Sequence, residues 1–402
     1  MSASFAPTRI GACHPLAIAI AIAPVAVVLQ NRVLAPIALV GLAASLAFAW
    51  REGWRPAGLP RLAWIFLALL GWGAVSAIWA PDPLRALDVA LRLGAMTVLA
   101  GFVAEAIADA PMPRMARWVG LGLALGLAAA LFDSQTNHSL RAGVRGLAEA
   151  PEQLGFGLKN AVSVLGLLAP LAIGHAALPG WARLALAGGL ILVAWLLPGE
   201  SARLAALAGL AATALALWLP RWIGPALGFG AALLLLLAPL LVWWGFAGGL
   251  DASHLPFSAS HRLLIWDFTA TRIRDTPLIG WGLDSARAIP GGFAAPGAAL
   301  LERFGLAGSM GRYASVQLLP LHPHNAALQI WLELGMVGAM LAAWLLAAVG
   351  FASRNAPAAG CLAAALVTGM LSYGVWQYWW VAGLLLVAAF LPGLSPARRS
   401  GR

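Results

Sequence analysis

The chain has 402 residues, 61% hydrophobic and 10% charged, where a soluble domain is typically about a quarter charged. That composition excludes a water-soluble monomer and intrinsic disorder alike. The net charge of +10 invites a nucleic-acid partner only if the basic residues form one soluble patch.

Twelve apolar runs follow one another, most near the ~20 residues that cross a ~30 Å hydrocarbon core as a helix. They cover 14–29, 33–50, 62–80, 86–108, 116–132, 160–178, 182–198, 202–219, 225–248, 324–350, 357–374 and 376–393. The runs are continuously apolar, which disfavours an alternating β-barrel strand pattern. The first run imitates a secretory signal, but with so many runs behind it, it reads as a retained first helix. Trp50, Trp54, Trp118, Trp181, Trp218, Trp222 and the cluster Trp376, Trp379 and Trp380 stand at run edges, where interfacial belts are expected. The expected fold is an all-α integral membrane protein of about twelve transmembrane helices, one polytopic domain over 1–402.

Charge sets the orientation. With the N-terminus inside, the inner segments carry Arg9, Arg51, Arg55, Arg61, Arg114, Arg117, Arg183, Arg221, Arg354, Arg398, Arg399 and Arg402 against Glu52, Glu105 and Asp109. The other side is nearly balanced. The positive-inside rule then places both termini in the cytoplasm and two long segments, 133–159 and 249–323, outside. The basic charge is therefore a topology signal, and no nucleic-acid partner is expected. Cys13 and Cys361 give no disulfide framework and no metal spacing. The Cys13 box precedes the first run, so a lipoprotein reading is rejected. No glycine-rich phosphate loop ending in Lys-Ser/Thr occurs, which disfavours an ATP-driven pump.

The densest constellation is Leu321-His322-Pro323-His324-Asn325, continuing to Gln329, Glu333 and Gly335. Pro323 suits a first helical position, which puts His324 and Asn325 in the first turn of the tenth run. The positive end of the helix dipole favours a neutral imidazole, and a neutral histidine is a competent general base. His322 reads as a cap or as an orienter of the acceptor. Asn325, Gln329 and Glu333 share one stripe at i, i+4, i+8, which must face protein or water. The plainer alternative is a capping histidine pair with a stripe that only joins helices.

Arg203 opens the eighth run at the outer side, where a cation opposes the dipole unless an anion is near; the local alternative is a pair with Glu200. Arg262 opens an amphipathic helix over 260–275, with Leu263, Trp266, Ala270 and Ile273 on one face, ending at Thr276-Pro277. Such a helix suits lying flat on a bilayer. Arg262, Arg272 and Arg274 then face headgroups or substrate. Arg141, Arg145 and Lys159 are candidates of the same kind. His322 and His324 lack a third metal ligand at a recognisable spacing, and no Gly-x-Ser-x-Gly elbow or Asp-x-Asp pair occurs. No metal or cofactor is expected.

Three features together resemble the O-antigen ligase family, whose domain is shared with O-antigen polymerases and protein O-oligosaccharyltransferases. They are Pro323-His324-Asn325-x-x-Leu328-Gln329-x-x-x-Glu333-x-Gly335-x-x-Gly338; Arg262-x-x-x-Trp266 followed by Thr276-Pro277-Leu278-Ile279-Gly280-Trp281-Gly282; and Ser201-x-Arg203 opening a run. The resemblance covers roughly 190–345, with Ala202 where the family often has arginine directly after serine. It implies a GT-C-like glycosyltransferase of lipopolysaccharide biosynthesis in the bacterial inner membrane. A glycan on undecaprenyl pyrophosphate would move to a sugar hydroxyl of lipid A–core at the periplasmic face; independently of the resemblance, displacement with one histidine base and no nucleophilic carboxylate points to inversion. His324 would be the catalytic histidine, with Arg203 and Arg262 facing the pyrophosphate. Expected substrate contacts are His322, Asn325, Gln329, Arg272, Arg274 and Lys159, in a monomer surrounded by membrane lipids. A polymerase acting on a growing glycan, or a protein O-oligosaccharyltransferase, would use the same chemistry. A transporter of a polysaccharide lipid is the reading from another class; the charges cluster at one face and no internal repeat is visible, which counts against it.

Overall fold

The computed structural model describes residues 10–108, 112, 114–149 and 151–394. Arg9, Asp109, Arg398, Arg399 and Arg402, which enter the charge count, lie outside the described residues.

Among the described residues every regular element is a helix. The first five are α1 (Ile10–Leu29), α2 (Leu34–Arg51), α3 (Arg61–Val75), α4 (Pro83–Ala108) and α5 (Met115–Gln135). A short α6 (Ser139–Val144) precedes α7 (Leu158–Ile173), α8 (Gly180–Leu196), α9 (Glu200–Trp218) and α10 (Pro220–Phe246). The 249–323 segment holds α11 (Phe257–Ile273), α12 (Ala298–Arg303) and α13 (Met310–Tyr313). The chain ends in α14 (Ala326–Ala352), α15 (Ala356–Leu371) and α16 (Tyr378–Leu394). All twelve apolar runs are helical. Nine of them among the described residues are long and apolar enough to cross a membrane, and α8, α15 and α16 are shorter apolar helices.

Composition fixes where each helix sits. α7 is apolar on every side and almost wholly buried, with α1, α5, α8, α9 and α15 around it. α10 buries only a few small residues and Leu235 toward α14, and turns Leu233, Leu240 and Trp244 outward. α4 packs on α16 and α3. Trp50, Trp118, Trp181, Trp218 and Trp222 are exposed, as belt residues would be. Trp54, Trp376 and Trp380 are instead buried. Trp376, in the α15–α16 turn, and Trp380, in the first turn of α16, pack inward.

The 249–323 segment departs from expectation twice. First, α11 does not lie flat with one face on lipid. Ile265, Phe268 and Ile273 join the core shared with α3, α4 and α14, while Leu264 joins a second small core with Leu301, Phe304, Leu306 and Tyr313. Burial on both sides makes α11 an interior element.

Second, the residues after α11 insert into α14. That helix is interrupted at Gly335, whose backbone takes φ 61 and ψ −161. The 277–284 strap fills the gap. The N–H groups of Met336 and Val337 donate to the carbonyls of Pro277 (2.9 Å) and Leu278 (3.3 Å). The N–H groups of Trp281 and Gly282 donate to the carbonyls of Leu332 (2.9 Å) and Glu333 (2.7 Å). The indole N–H groups of Trp72 and Trp79 close the rest, on the carbonyls of Leu334 and Gly280. A broken helix among spanning helices survives only if its freed backbone groups find protein partners, and here they do.

Candidate functional site

The site stands where the starts of α7, α9, α11 and α14 meet the α15–α16 turn. α14 begins three residues later than the proline predicts. Asn325 is its N-cap, with extended φ −151 and ψ 111 and a side-chain oxygen that accepts from the Leu328 N–H at 3.1 Å. Asparagine competes well for that role, so the helix starts at Ala326 and leaves His322, Pro323 and His324 outside it. His324 takes a left-handed φ of 54, which turns its ring back toward the α15–α16 connection.

There its Nδ1 lies 2.7 Å from the Ser372 carbonyl. A carbonyl only accepts, so in the neutral ring Nδ1 carries the proton and Nε2 keeps its lone pair. The Ser372 hydroxyl in turn donates to the Ser201 hydroxyl at 2.8 Å, which ties the start of α9 to the same anchor. The His322 ring stands edge-on to that of His324, centroids 4.2 Å apart, and its Nδ1 accepts from the His324 N–H at 3.2 Å.

Burial pushes the His324 imidazole down to about 4; its bond to Ser372 opposes this, and the charges of Arg262, Lys159 and His261 add to the depression. Burial pushes His322 down to about 3, helped by His324, Arg287 and Lys159. Both rings are therefore neutral near pH 7. Arg262 is itself pushed down by burial, with Glu200 opposing. These effects bring His324, Arg262, Lys159 and Glu200 into one electrostatic neighbourhood. The Trp266 indole donates to the Pro323 carbonyl at 3.0 Å and pins α11 to the histidine segment. That contact explains the Arg262-x-x-x-Trp266 spacing, since residues four apart share a helix face. Lys159 lies over the Tyr373 ring at 5.9 Å.

Other expected residues go elsewhere. Arg203 does not pair with Glu200. Its guanidinium donates to the carbonyls of Ala194 (2.9 Å) and Trp195 (3.2 Å) and stacks on the Trp195 ring, so it caps the C-terminal end of α8. Arg272 pairs with Asp275 at 3.0 Å and Arg274 lies over Trp243. Arg272 is ten residues beyond Arg262 on α11, about 15 Å further along the axis. Arg141 is buried, with its side chain on the Val28 carbonyl and its N–H on Asp133.

The polar stripe on α14 is an internal bracket. Gln329 donates to Glu333 at 2.9 Å and accepts from the Val375 N–H at 3.0 Å. Glu333 is fully buried and accepts from the Trp376 indole (2.5 Å) and from the N–H groups of Asp284 (2.8 Å) and Ala286 (3.4 Å). It therefore fastens the strap and the α15–α16 turn to the interrupted helix. His322 and Gln329 also line a cavity of about 790 Å³, together with Tyr373, Trp376 and Gln377. Ser372, at the His324 ring, and Trp376, Arg32, Arg85 and Arg287, in the cavity lining, were not singled out as site candidates from the sequence. The signal available for the first two was the run Ser372-Tyr373-Gly374-Val375-Trp376-Gln377, a polar and aromatic break between two apolar runs. The three arginines come from distant segments and gave none. Among the described residues no three histidine, cysteine or carboxylate side chains gather as metal ligands would.

The class is thus a helical membrane protein with a neutral histidine pair and clustered cations at one end of its bundle. Residues 186–343 match the family model described as O-antigen ligase, so this stretch of the chain carries that family's domain. A Rickettsia bellii protein named "Putative polysaccharide ligase" is 32% identical over 210 residues, 49% of this chain and 48% of its own length. A Rickettsia conorii protein with the same descriptive name is 33% identical over 141 residues, 33% of this chain and 31% of its own. The matched part is therefore about half the length of the first relative and about a third of the second. No solved structure matches the chain.

Proposed function

We propose that this protein is a polytopic inner-membrane glycosyltransferase. It transfers a glycan from a polyprenyl pyrophosphate, undecaprenyl pyrophosphate in bacteria, to a sugar hydroxyl of lipid A–core on the periplasmic side. The observation that carries this reading is the His324 ring, tied through Nδ1 to the Ser372 carbonyl and facing the charges of Arg262 and Lys159. The O-antigen ligase domain match and the relatives' names support it.

In this reading the acceptor oxygen attacks the anomeric carbon. The bond from that carbon to the pyrophosphate oxygen breaks, and the acceptor proton passes to His324 Nε2. Charge gathers on the leaving pyrophosphate, where Arg262 and Lys159 stabilise it. Their charges are also part of what holds the imidazole down, so a bound pyrophosphate offsets them and raises the basicity of His324 when the base is needed. Arg203 contributes by holding the α8–α9 corner beside Ser201, and by whatever part of its guanidinium the Ala194 and Trp195 carbonyls leave open to the pyrophosphate. In this reading His324 is the single base and Glu200 serves only as a countercharge to Arg262, so the acceptor displaces the pyrophosphate directly and the anomeric centre inverts.

The test is the lipopolysaccharide pattern of a deletion strain on a gel. Loss of all O-antigen with lipid-linked polymer accumulating supports ligation to core. Core capped by a single repeat unit replaces the ligase reading with a polymerase, and an unchanged pattern with under-glycosylated protein replaces it with a protein transferase.

A further inference from the structure

His322 lines the 790 Å³ cavity. The cavity lies within the size range of small-molecule sites and has room for several sugar units. Three guanidiniums line it: Arg32 from the α1–α2 link, Arg85 from the start of α4, and Arg287 from the turn after the strap. Two carboxylates line it as well, and both are already engaged. Asp284 pairs with Arg85 at 2.6 Å. Asp88 pairs with Arg92 at 2.5 Å and accepts from the Tyr378 hydroxyl at 3.1 Å.

That leaves Arg32 and Arg287. Both are exposed at the cavity, and neither makes a hydrogen bond or ion pair among the described residues. Asn31 and Asn160 line the same space with amides that are also unengaged. Arg287 lies within the field of Asp284, but neither guanidinium is hydrogen-bonded to a carboxylate, and each matches a phosphate or carboxylate, which it can grip with two parallel N–H bonds. Amides beside them suit sugar hydroxyls.

We propose that this cavity is the acceptor subsite, and that Arg32 and Arg287 hold an anionic group, a phosphate or a carboxylate, on the acceptor glycan. The proposal rests on the transferase reading for the word acceptor. The anion would anchor the glycan so that a neighbouring hydroxyl reaches the histidine pair. The donor pyrophosphate belongs to Arg262 and Lys159, beside His324.

The experiment uses the full chain in nanodiscs of zwitterionic phosphatidylcholine. The probes are a phosphate-bearing oligosaccharide released from lipid A–core and the same oligosaccharide after phosphatase treatment, with Kd read by thermophoresis. The phosphorylated form should bind about tenfold tighter. Arg32→Gln and Arg287→Gln should each remove most of that preference and leave the phosphatase-treated form unchanged, while Arg287→Lys should restore part of it. Wild-type thermal midpoints for the variants confirm that they are folded. Equal binding of the two forms by the parent protein overturns the proposal. So does a preference that survives both glutamine variants. If those variants instead weaken binding of geranylgeranyl pyrophosphate to the same degree, the cavity holds the donor and the proposal falls. If phosphatidylglycerol in the nanodisc abolishes the preference, the arginines serve a lipid headgroup, and it falls again. Transfer from a lipid-linked donor is read separately. Intact phosphate preference without transfer refutes the transferase reading and leaves the anion subsite standing.

Discussion

Gly335→Ala tests whether the strap and the interrupted helix are one structure. The backbone there, φ 61 and ψ −161, lies in a region that only glycine occupies freely, and a side chain there costs about 1–3 kcal/mol. A Cβ would also stand 2.4 Å from the Leu278 carbonyl carbon and 2.5 Å from the Ile279 nitrogen. Those are backbone atoms and cannot swing aside as a flexible side chain would. The strap must move, and the four backbone bonds that hold it to α14 are worth about 0.5–1.5 kcal/mol each. Together the loss is roughly 3–9 kcal/mol, comparable with the whole stability of a typical domain. Detachment of the strap is the cheaper response. It releases Asp284 and Arg287 from the cavity wall and strips Glu333 of two donors. Glycan transfer by purified protein, read on a gel, should fall by at least ~10²-fold, as displacements of about an ångström can cause. Gly280→Ala approaches the same contact from the other side, with φ 70 and a Cβ 2.4 Å from the Glu333 carbonyl. The double variant should therefore be little worse than either single one. Gly188→Ala, in α8 with open space around it, is the control and should leave transfer and thermal midpoint unchanged. Wild-type transfer by Gly335→Ala would refute the idea that the strap is built into the helix.

His324→Ala should lose about 10²–10⁴-fold in transfer rate while lipid-pyrophosphate binding changes little; a wild-type rate removes the base assignment. Because burial and nearby cations hold the imidazole of the free protein down to about 4, kcat/KM should fall only as the pH drops toward that value, while the acid limb of kcat should lie higher, since bound pyrophosphate offsets the cations. Arg262→Gln removes one of those cations, so its residual activity should lose its acid limb at a higher pH than the parent; an unmoved limb contradicts the electrostatic account. Arg203→Ala should lower the thermal midpoint as well as transfer, since it uncaps α8, whereas Arg262→Ala should lower transfer at a near-normal midpoint. Alkaline phosphatase inserted within 249–323 should be active and a fusion after Arg354 inactive; the reverse pattern overturns the orientation.

Much of the helical layout was open to sequence reading because apolar run length is a direct physical signal. The helix expected at 260–275 from its one-face spacing stands at Phe257–Ile273. What stayed hidden depends on partners far away in sequence. A tryptophan at a run edge is equally consistent with a headgroup or a buried acceptor, and only the fold puts the Trp376 indole on Glu333. Arg32, Arg85 and Arg287 share no spacing; they line one cavity because the α1–α2 link, the start of α4 and the turn after the strap close on it. Arg203 shows the converse. Its position at a helix start suggested an anion, but two carbonyls at the end of the preceding helix meet most of that demand.

The interrupted helix brings these hidden contacts under one physical requirement. Gly335 stands inside an apolar run with no local sign of a break, and Thr276-Pro277 marks only the end of a helix. Neither reading accounts for backbone hydrogen bonds. Once α14 breaks, the carbonyls of Leu332 and Glu333 and the N–H groups of Met336 and Val337 need partners, and no water is at hand inside a helical bundle. A segment with glycines at 280 and 282 can approach closely enough to supply them. The same insertion delivers Asp284 and Arg287 to the cavity and leaves α11 with Arg262 beside His324. The Gly335 position, the glycine-rich strap and the Arg262–Trp266 pair are thus three parts of one constraint. Loosening any of them should disturb the cation arrangement around the histidines before it unfolds the bundle.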